Sequence, residues 1–193
     1  CYSVADAVDS QPARAWGLSA QLYALRRLGD GGFGDTLALE HLVRSAAERG
    51  ADAVAISPMH AMFSADTERF SPYSPSSRLF LNSLYASPAC ILGEREVRNA
   101  IEAAGLADEL HALEQLPLID WPAAAKAKQR LLRTLYEDFR HGAHPQHADF
   151  QSFRQTGGEA LENHCRFEAI QAQRAAAGED LDWRQWPEAW RTP

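Results

Sequence analysis

The sequence has no run of basic residues. Its 193 residues carry 26 acidic and 19 basic side chains, which gives a formal net charge of −7 at pH 7. Proteins that bind nucleic acid need a positive surface to neutralise the phosphates. We therefore expect no nucleic-acid partner.

Long apolar segments are also missing. No window approaches the roughly 20 apolar residues that a membrane-spanning helix needs. The opening residues CYSVADAVDS lack the basic start and the apolar stretch of a secretory signal. The sequence therefore predicts no membrane partner and favours the cytoplasm.

Cysteines are few and irregularly spaced. Cys1, Cys90 and Cys165 are an odd number, which fits neither a disulfide framework nor a zinc site. We interpret them as buried or idle thiols. Because the chain begins with Cys rather than Met and stops at Pro193 soon after a Trp-rich segment, we expect both ends to be cuts, with residues 1–15 leading in from a preceding region.

The first half of the sequence has the pattern of a βαβ unit. Trp16–Leu25 predicts a strand, and Thr36–Arg49 predicts an amphipathic helix that Asp35 caps and Gly50 ends. Ala51–Met59 is a short apolar run, typical of a parallel strand buried on both faces. Such units are right-handed crossovers.

A long loop follows the second strand, and the chain becomes helical after Pro88. Residues 57–88 are rich in Ser and Pro, and loops of that length tend to be functional. No further strands are expected, and two parallel strands cannot complete a sheet, so the chain is better explained as a fragment of an α/β domain. The predicted helices are Glu94–Ala104, Ala107–Leu116, Pro122–His141, Phe150–Arg154 and Glu159–Ala177.

Three glycines in the first turn match a dinucleotide-binding pattern. Gly29, Gly31 and Gly34 fit G-x-G-x-x-G between a strand and a helix. Residues 26–28, however, separate them from the strand, and Asp52 opens the second strand where the ribose-binding acid should close it. A flexible βα loop is favoured over a nucleotide site.

Three histidines recur at three-residue spacing. His141, His144 and His147 could converge on a metal ion. Gly142 and Pro145 break any helix there, so a solvated loop without metal is the favoured interpretation.

Trp121, Trp183, Trp186 and Trp190 are many for one chain. Exposed indoles can stack on sugar rings, although packing within a helical block is their commoner role. For catalysis, no pair of carboxylates and no Ser/His/Asp or Cys/His set can be assembled from this chain.

A tyrosine in the long loop is the main candidate for ligand binding. Tyr73 is flanked by Ser71, Pro72, Ser74 and Pro75, which gives a stiff backbone, a flat ring and short hydroxyls. These groups can hold a polyhydroxylated ring by stacking and hydrogen bonding. A packed tyrosine in a Ser-rich turn is the alternative.

Several segments in one order resemble the bacterial 4-α-glucanotransferases, the amylomaltase or disproportionating-enzyme family, also called glycoside hydrolase family 77. WGLSAQLYALR at 16–26 matches the family's opening W-G-x-x-x-Q-L-Y-x-L-R, and SPYS at 71–74 matches its S-P-Y-S loop. The turn at 34–35 and the strand end at 57–61 correspond as well, as does the closing WRQWPEAW. Departures include a Ser at 57 where the family often has Asn.

The resemblance implies an α/β fold, an incomplete (β/α)8 TIM barrel. Residues 16–92 would supply its first two strands with the long substrate loop, and 93–193 a mostly α-helical subdomain. The implied reaction transfers α-1,4-glucan segments between maltooligosaccharides with retention and without a cofactor, through an Asp nucleophile and a Glu acid/base. Both acids follow later strands in the family, so this chain alone should be inactive and should need the polypeptide beyond Pro193.

The resemblance also implies roles for single residues. Tyr73 would form the platform under the donor glucose, with Ser71 beside it, while His60, Asn82 and Asp35 would have structural roles. A non-catalytic helical module that binds glucan or a partner, and a nucleotide-binding βαβ protein, are the alternative functions.

Overall fold

The structure, a computed structural model, describes residues 15–191 and shows a mixed α/β fold. All of the expected leading segment 1–15 except Ala15 lies outside the described residues. The strands are β1 (Gly17–Ala20), β2 (Ala53–Ile56), β3 (His60–Ala61) and β4 (Ser77–Leu81). The α-helices are α1 (Thr36–Glu48), α2 (Pro88–Leu92), α3 (Glu94–Ala103), α4 (Ala107–Glu114), α5 (Trp121–His141), α6 (His147–Ala177) and α7 (Glu188–Arg191). Short 3-10 helices span Leu22–Ala24, Ser83–Tyr85 and Trp183–Gln185.

The predicted βαβ unit is confirmed. Strands β1 and β2 pair in parallel, and α1 connects them along the chain. The Asp35 side chain caps α1 by accepting a 3.0 Å hydrogen bond from the Ala38 N–H, and Gly50 follows the helix with φ +79°. The first strand is shorter than predicted, because the chain turns into a 3-10 helix at Leu22.

The prediction that the second strand is buried on both faces is wrong for this chain. Residues of β2 alternate between exposed and half-buried. Among residues 15–191, its sheet holds only β1 and β2, so β2 has no strand on its other edge.

The long loop contains two strands that the sequence did not predict. Strands β3 and β4 form an antiparallel pair with an irregular register, in which His60 lies opposite Leu81 and Ala61 opposite Ser77. The expectation of no further strands was therefore wrong. A two-residue strand leaves no readable alternation, and its partner lies about twenty positions away in the sequence.

The hydrophobic core lies where α5 packs against α3, α4 and the glycine turn. Leu131 and Leu135 of the predicted apolar stripe are buried, while Leu132 and Phe139 are half-buried. Trp121 begins α5 and packs beside this core, as expected for a packing tryptophan. Its ring contacts Tyr23 (centroids 4.8 Å apart), Phe33 (4.9 Å) and Phe70 (5.2 Å).

The two helices predicted at 150–154 and 159–177 belong to α6, which is interrupted at Gly158, where φ is +53°. The short helix α2 was missed, because five residues carry too little periodicity. No helix within residues 15–191 combines the length and the apolar character needed to cross a bilayer.

The three histidines do not form a solvated loop as predicted. His141 ends α5 and His147 begins α6, so only His144 lies between the helices. The His147 ring stacks on Phe139 with centroids 4.3 Å apart, and its Nε2 lies 2.8 Å from the Phe139 carbonyl oxygen. In the described part of the chain, no three His, Cys, Asp or Glu side chains are grouped to hold a metal ion.

The cysteines differ partly from expectation. Cys90 and Cys165 are free thiols and both are exposed rather than buried. Cys1 lies outside the described residues.

Candidate functional site

Two loops meet at one edge of the parallel strand pair. The glycine turn follows β1, and the long loop at residues 57–88 follows β2. Because the two strands are parallel, both loops leave from their carboxyl ends, the edge at which α/β folds bind ligands. This edge is the candidate functional site.

The glycine turn is buried and its amides are already bonded. Residues 30–35 are all buried, so the turn is not the loose loop that the sequence predicted. The Gly31 N–H donates to Glu114 Oε1 at 3.0 Å, and the Gly32 N–H donates to Asp30 Oδ1 at 2.8 Å. The amides that a dinucleotide phosphate would need are therefore occupied, which disfavours the nucleotide-binding alternative.

An ion pair fixes the turn to α1. Arg27 Nε donates to Asp35 Oδ1 at 3.1 Å, and its terminal nitrogen lies 2.6 Å from Asp35 Oδ2. Burial by itself raises the pKa of Asp35, but the hydrogen bonds from Arg27 and from the Ala38 N–H outweigh it and leave that pKa below its ordinary value. On the other side of the pair, the hydrogen bond with Asp35 raises the pKa of Arg27. Asp35 is thus a structural residue, as predicted.

The long loop is anchored at both ends. Near its start, Ser57 Oγ accepts a 3.1 Å hydrogen bond from the Leu22 N–H, which ties β2 to the segment after β1. Near its end, the Asn82 N–H donates to the Met59 carbonyl oxygen at 2.9 Å. Asn82 Oδ1 also accepts from the Leu84 N–H at 3.0 Å, so the predicted structural role of Asn82 is confirmed.

A glutamate on α6 holds the middle of the loop. Glu168 Oε2 accepts from the Ser64 N–H at 3.1 Å and from the Ser64 hydroxyl, while its Oε1 accepts from Ser76 Oγ at 3.3 Å. Gln129 of α5 donates to the Ser64 carbonyl oxygen at 2.7 Å. No sequence pattern predicts this clamp, because Ser64 and Glu168 are 104 positions apart.

A cavity of about 250 Å³ lies between this loop, α5 and α6. On one wall, the Phe70 ring stacks on Trp121 with an interplanar angle of 18°. On another, the Arg69 guanidinium lies 3.7 Å from the centroid of Phe63. An aromatic wall with polar groups around it is the usual composition of a small-molecule site.

The predicted ligand-binding residues lie at the tip of the loop. The Ser74 N–H donates to the Ser71 carbonyl oxygen at 3.0 Å, which closes a turn around Pro72 and Tyr73. Pro72 is buried, whereas Tyr73 is 66% exposed. Neither Ser71 nor Tyr73 is among the residues that line the cavity, so the predicted ligand-binding residues lie outside it.

The remaining tryptophans lie near the end of the described chain. Trp186 is only 2% exposed and packs on Phe167, with centroids 5.4 Å apart. Trp183 and Trp190 are each 44% exposed. Together with Phe80 and other residues they line a second cavity, of about 460 Å³. The expectation of buried packing is confirmed for Trp186 and is wrong for Trp183 and Trp190.

Comparison with known proteins places these observations in one family. The model of glycoside hydrolase family 77, described as 4-alpha-glucanotransferase, matches residues 20–193. The chain is 28% identical to a 4-alpha-glucanotransferase of Haemophilus influenzae over 193 aligned positions, which cover 92% of this chain and 27% of that protein. It is 32% identical to 4-alpha-glucanotransferases of Mycobacterium bovis and Mycobacterium tuberculosis, over 93% of this chain and 25% of theirs.

The chain therefore spans about a quarter of the length of the curated relatives that it matches. The matched residues begin at the last residue of β1 and include the glycine turn, β2, the long loop and the helical block. The chain belongs to the 4-alpha-glucanotransferase family.

Proposed function

We propose that the full-length protein transfers α-1,4-glucan segments between maltooligosaccharides. The observation that carries this proposal is the family match over residues 20–193, which includes both loops at the candidate site. The transfer would proceed with retention, through a covalent glycosyl-enzyme intermediate. The protein would work in the cytoplasm without a cofactor.

We propose that residues 16–92 open a (β/α)8 barrel and that residues 93–193 form a helical subdomain. The parallel register of β1 and β2, with α1 between them, is the repeating unit of such a barrel. The loops at the carboxyl ends of barrel strands form the active site in this architecture. The glycine turn and the long loop would be the first two of these loops.

The catalytic carboxylates would lie outside this chain. Retaining transfer needs two carboxyl groups about 5 Å apart. Three acids around the candidate site already have structural roles: Asp30 and Asp35 hold the glycine turn, and Glu168 holds the long loop. The 193-residue chain, if circular dichroism shows it to be helical, should release no glucose from maltotriose.

Tyr73 would be the platform under the donor glucose, with Ser71 beside it. The Tyr73 ring is exposed at the tip of a turn that Pro72 and the Ser74 hydrogen bond keep stiff. Aromatic faces stack on the C–H faces of sugar rings, and serine hydroxyls can bond sugar hydroxyls.

The partner of the exposed strands would be the rest of the same polypeptide, beyond Pro193. Leu79 and Leu81 of β4 are 80% and 69% exposed, and Leu18 of β1 is 40% exposed. Further barrel strands and helices would cover such apolar side chains.

The test is maltotriose disproportionation by the purified full-length protein. We expect glucose together with maltooligosaccharides longer than maltotriose, because the transferred segment is received by another glucan. Release of glucose and maltose alone would show hydrolysis instead and contradict the proposal. Saturable maltotriose binding without turnover would support the alternative of a non-catalytic glucan-binding module.

A further inference from the structure

The chain has only two lysines, and they differ sharply in environment. Lys126 and Lys128 both lie on α5. Lys126 is exposed, whereas Lys128 is only 6% exposed. Lysines are almost never buried to this degree unless their ammonium group is paired.

Lys128 lacks such a partner within residues 15–191. Its side chain makes no hydrogen bond and no ion pair closer than 4.0 Å to any described residue. Burial lowers its pKa, with the charges of Asp35 and Asp30 acting in the opposite direction. The desolvation cost of the ammonium group is therefore offset only by the more distant charges of Asp35 and Asp30, and by no direct contact.

Lys128 lines a cavity of about 240 Å³. The glycine turn, α3, α4 and α5 contribute its walls, together with the start of α2. Ser87, which is 3% exposed, also lines it. The Ser87 oxygen accepts a weak 3.5 Å hydrogen bond from Cys90 Sγ, and its own hydroxyl hydrogen has no acceptor among the described residues.

The carboxylates that line this cavity bond to other groups, so none of them forms an ion pair with the Lys128 ammonium. Each accepts at least one hydrogen bond from a group of the glycine turn or of the segment just before it. These pairs are Asp30 with Arg26 (3.0 Å), Asp35 with Arg27 (2.6 Å) and Glu114 with the Gly31 N–H (3.0 Å).

We propose that this cavity binds a small molecule through a phosphoryl oxyanion, with Lys128 Nζ and the Ser87 hydroxyl as donors. An oxyanion would supply the missing counter-charge and would accept charge-assisted hydrogen bonds from the ammonium. Inorganic phosphate and phosphorylated sugars both carry such a phosphoryl oxyanion. The proposal does not depend on glucan transfer, because Lys128 and Ser87 have no part in the transfer proposed above.

The experiment measures the melting temperature of the full-length protein against inorganic phosphate, with ionic strength held constant by chloride. A ligand that binds only the folded state raises the melting temperature in a concentration-dependent way. We expect this rise for the natural protein and for Lys126→Met, the matched control on the same helix. Lys128→Met should weaken phosphate binding at least about tenfold, since a bond to a charged group is lost.

A second variant and a second ligand extend the test. Ser87→Ala removes one donor and leaves the ammonium in place, so it should weaken phosphate binding severalfold. If Lys128→Met does not fold, the result for Ser87→Ala decides whether the cavity binds phosphate. Titration with glucose 1-phosphate distinguishes the sources, because tighter binding than that of inorganic phosphate would identify a phosphorylated sugar as the ligand.

The proposal is overturned if phosphate gives no saturable rise in the natural protein. It is also overturned if Lys128→Met and Ser87→Ala respond to phosphate as the natural protein does. Maltotriose disproportionation is assayed without phosphate, so either failure leaves the proposed glucan transfer untouched.

Discussion

Arg27 and Asp35 are joined by two hydrogen bonds that fix the glycine turn to the first helix. The Asp35 side chain is fully buried, and that of Arg27 is 22% exposed. The same carboxylate caps α1 through the Ala38 N–H. A single buried acid therefore connects the turn, the arginine before it and the helix after it.

We predict that Asp35→Asn lowers the free energy of unfolding of the full-length protein by about 3 kcal/mol at pH 7. The change leaves the partly buried Arg27 without its counter-charge and weakens the helix cap. Urea denaturation measures the difference. Glu40→Gln is the control, because Glu40 pairs with Arg44 on the exposed face of α1 and should cost less than about 0.5 kcal/mol.

The loss of unfolding free energy caused by Asp35→Asn should stay constant at neutral pH and shrink only in acid. The folded-state pKa of Asp35 lies below its ordinary value, so its stabilising contribution is complete above the unfolded-state pKa of about 3.9. The contribution is lost only as the pH falls through the folded-state pKa. A difference that disappears between pH 7 and pH 5 would show that Asp35 is not stabilised as a carboxylate.

We predict that Gly32→Ala destabilises the protein by at least about 1 kcal/mol more than Gly29→Ala. Both glycines have positive φ, +90° and +76° respectively, so both substitutions carry the same kind of backbone strain. At Gly32, however, a new Cβ would lie 2.9 Å from Leu113 Cβ, whereas at Gly29 the nearest atom is 3.8 Å away. Equal melting temperatures for the two variants would show that the turn does not pack against α4.

The sequence predicted the parts of the fold that depend on local patterns. The helix after Asp35 was predicted within one residue, because its cap, its apolar period and Gly50 all lie within sixteen positions. The pairing of His60 with Leu81 was missed, because it joins a two-residue strand to a partner outside any local window. The glycine turn was expected to be loose, because nothing in its own residues shows that α4 covers it.

The same distinction applies to the candidate site. The S-P-Y-S segment made Tyr73 a candidate from the sequence, and its role in sugar binding stays a prediction; the structure adds that its ring is exposed. The clamp between Glu168 and the long loop has no sequence signature, since a glutamate on a long helix is normally a solvated residue. Contacts between distant segments decide which of the chain's many acids have structural roles.

We predict that Glu168→Ala loosens the middle of the long loop without unfolding the protein. The loop loses the acceptor of the Ser64 N–H and of the Ser64 hydroxyl, whereas the Ser76 hydroxyl keeps the Met62 carbonyl oxygen at 3.0 Å. The cost should be about 1 kcal/mol, because these groups are partly exposed. Amide hydrogen exchange in residues 62–77 should become roughly fivefold faster. Glu159→Ala, at an exposed position of α6, is the control and should leave that exchange unchanged. Equal exchange rates in the two variants would contradict the clamp.

We predict that Tyr73→Ala lowers kcat/KM for maltotriose disproportionation by the full-length protein at least tenfold, or about 1.4 kcal/mol of transition-state stabilisation. The donor sugar would lose its stacking surface and its position relative to the catalytic groups. Tyr73→Phe keeps the ring and should retain most of the activity, which separates stacking from hydrogen bonding by the hydroxyl. Tyr136→Ala is the matched control, because Tyr136 is 47% exposed on α5, and it should leave kcat/KM unchanged. If Tyr73→Ala also retains the natural kcat/KM, the exposed ring is a surface feature and the sugar is held by other residues of the site.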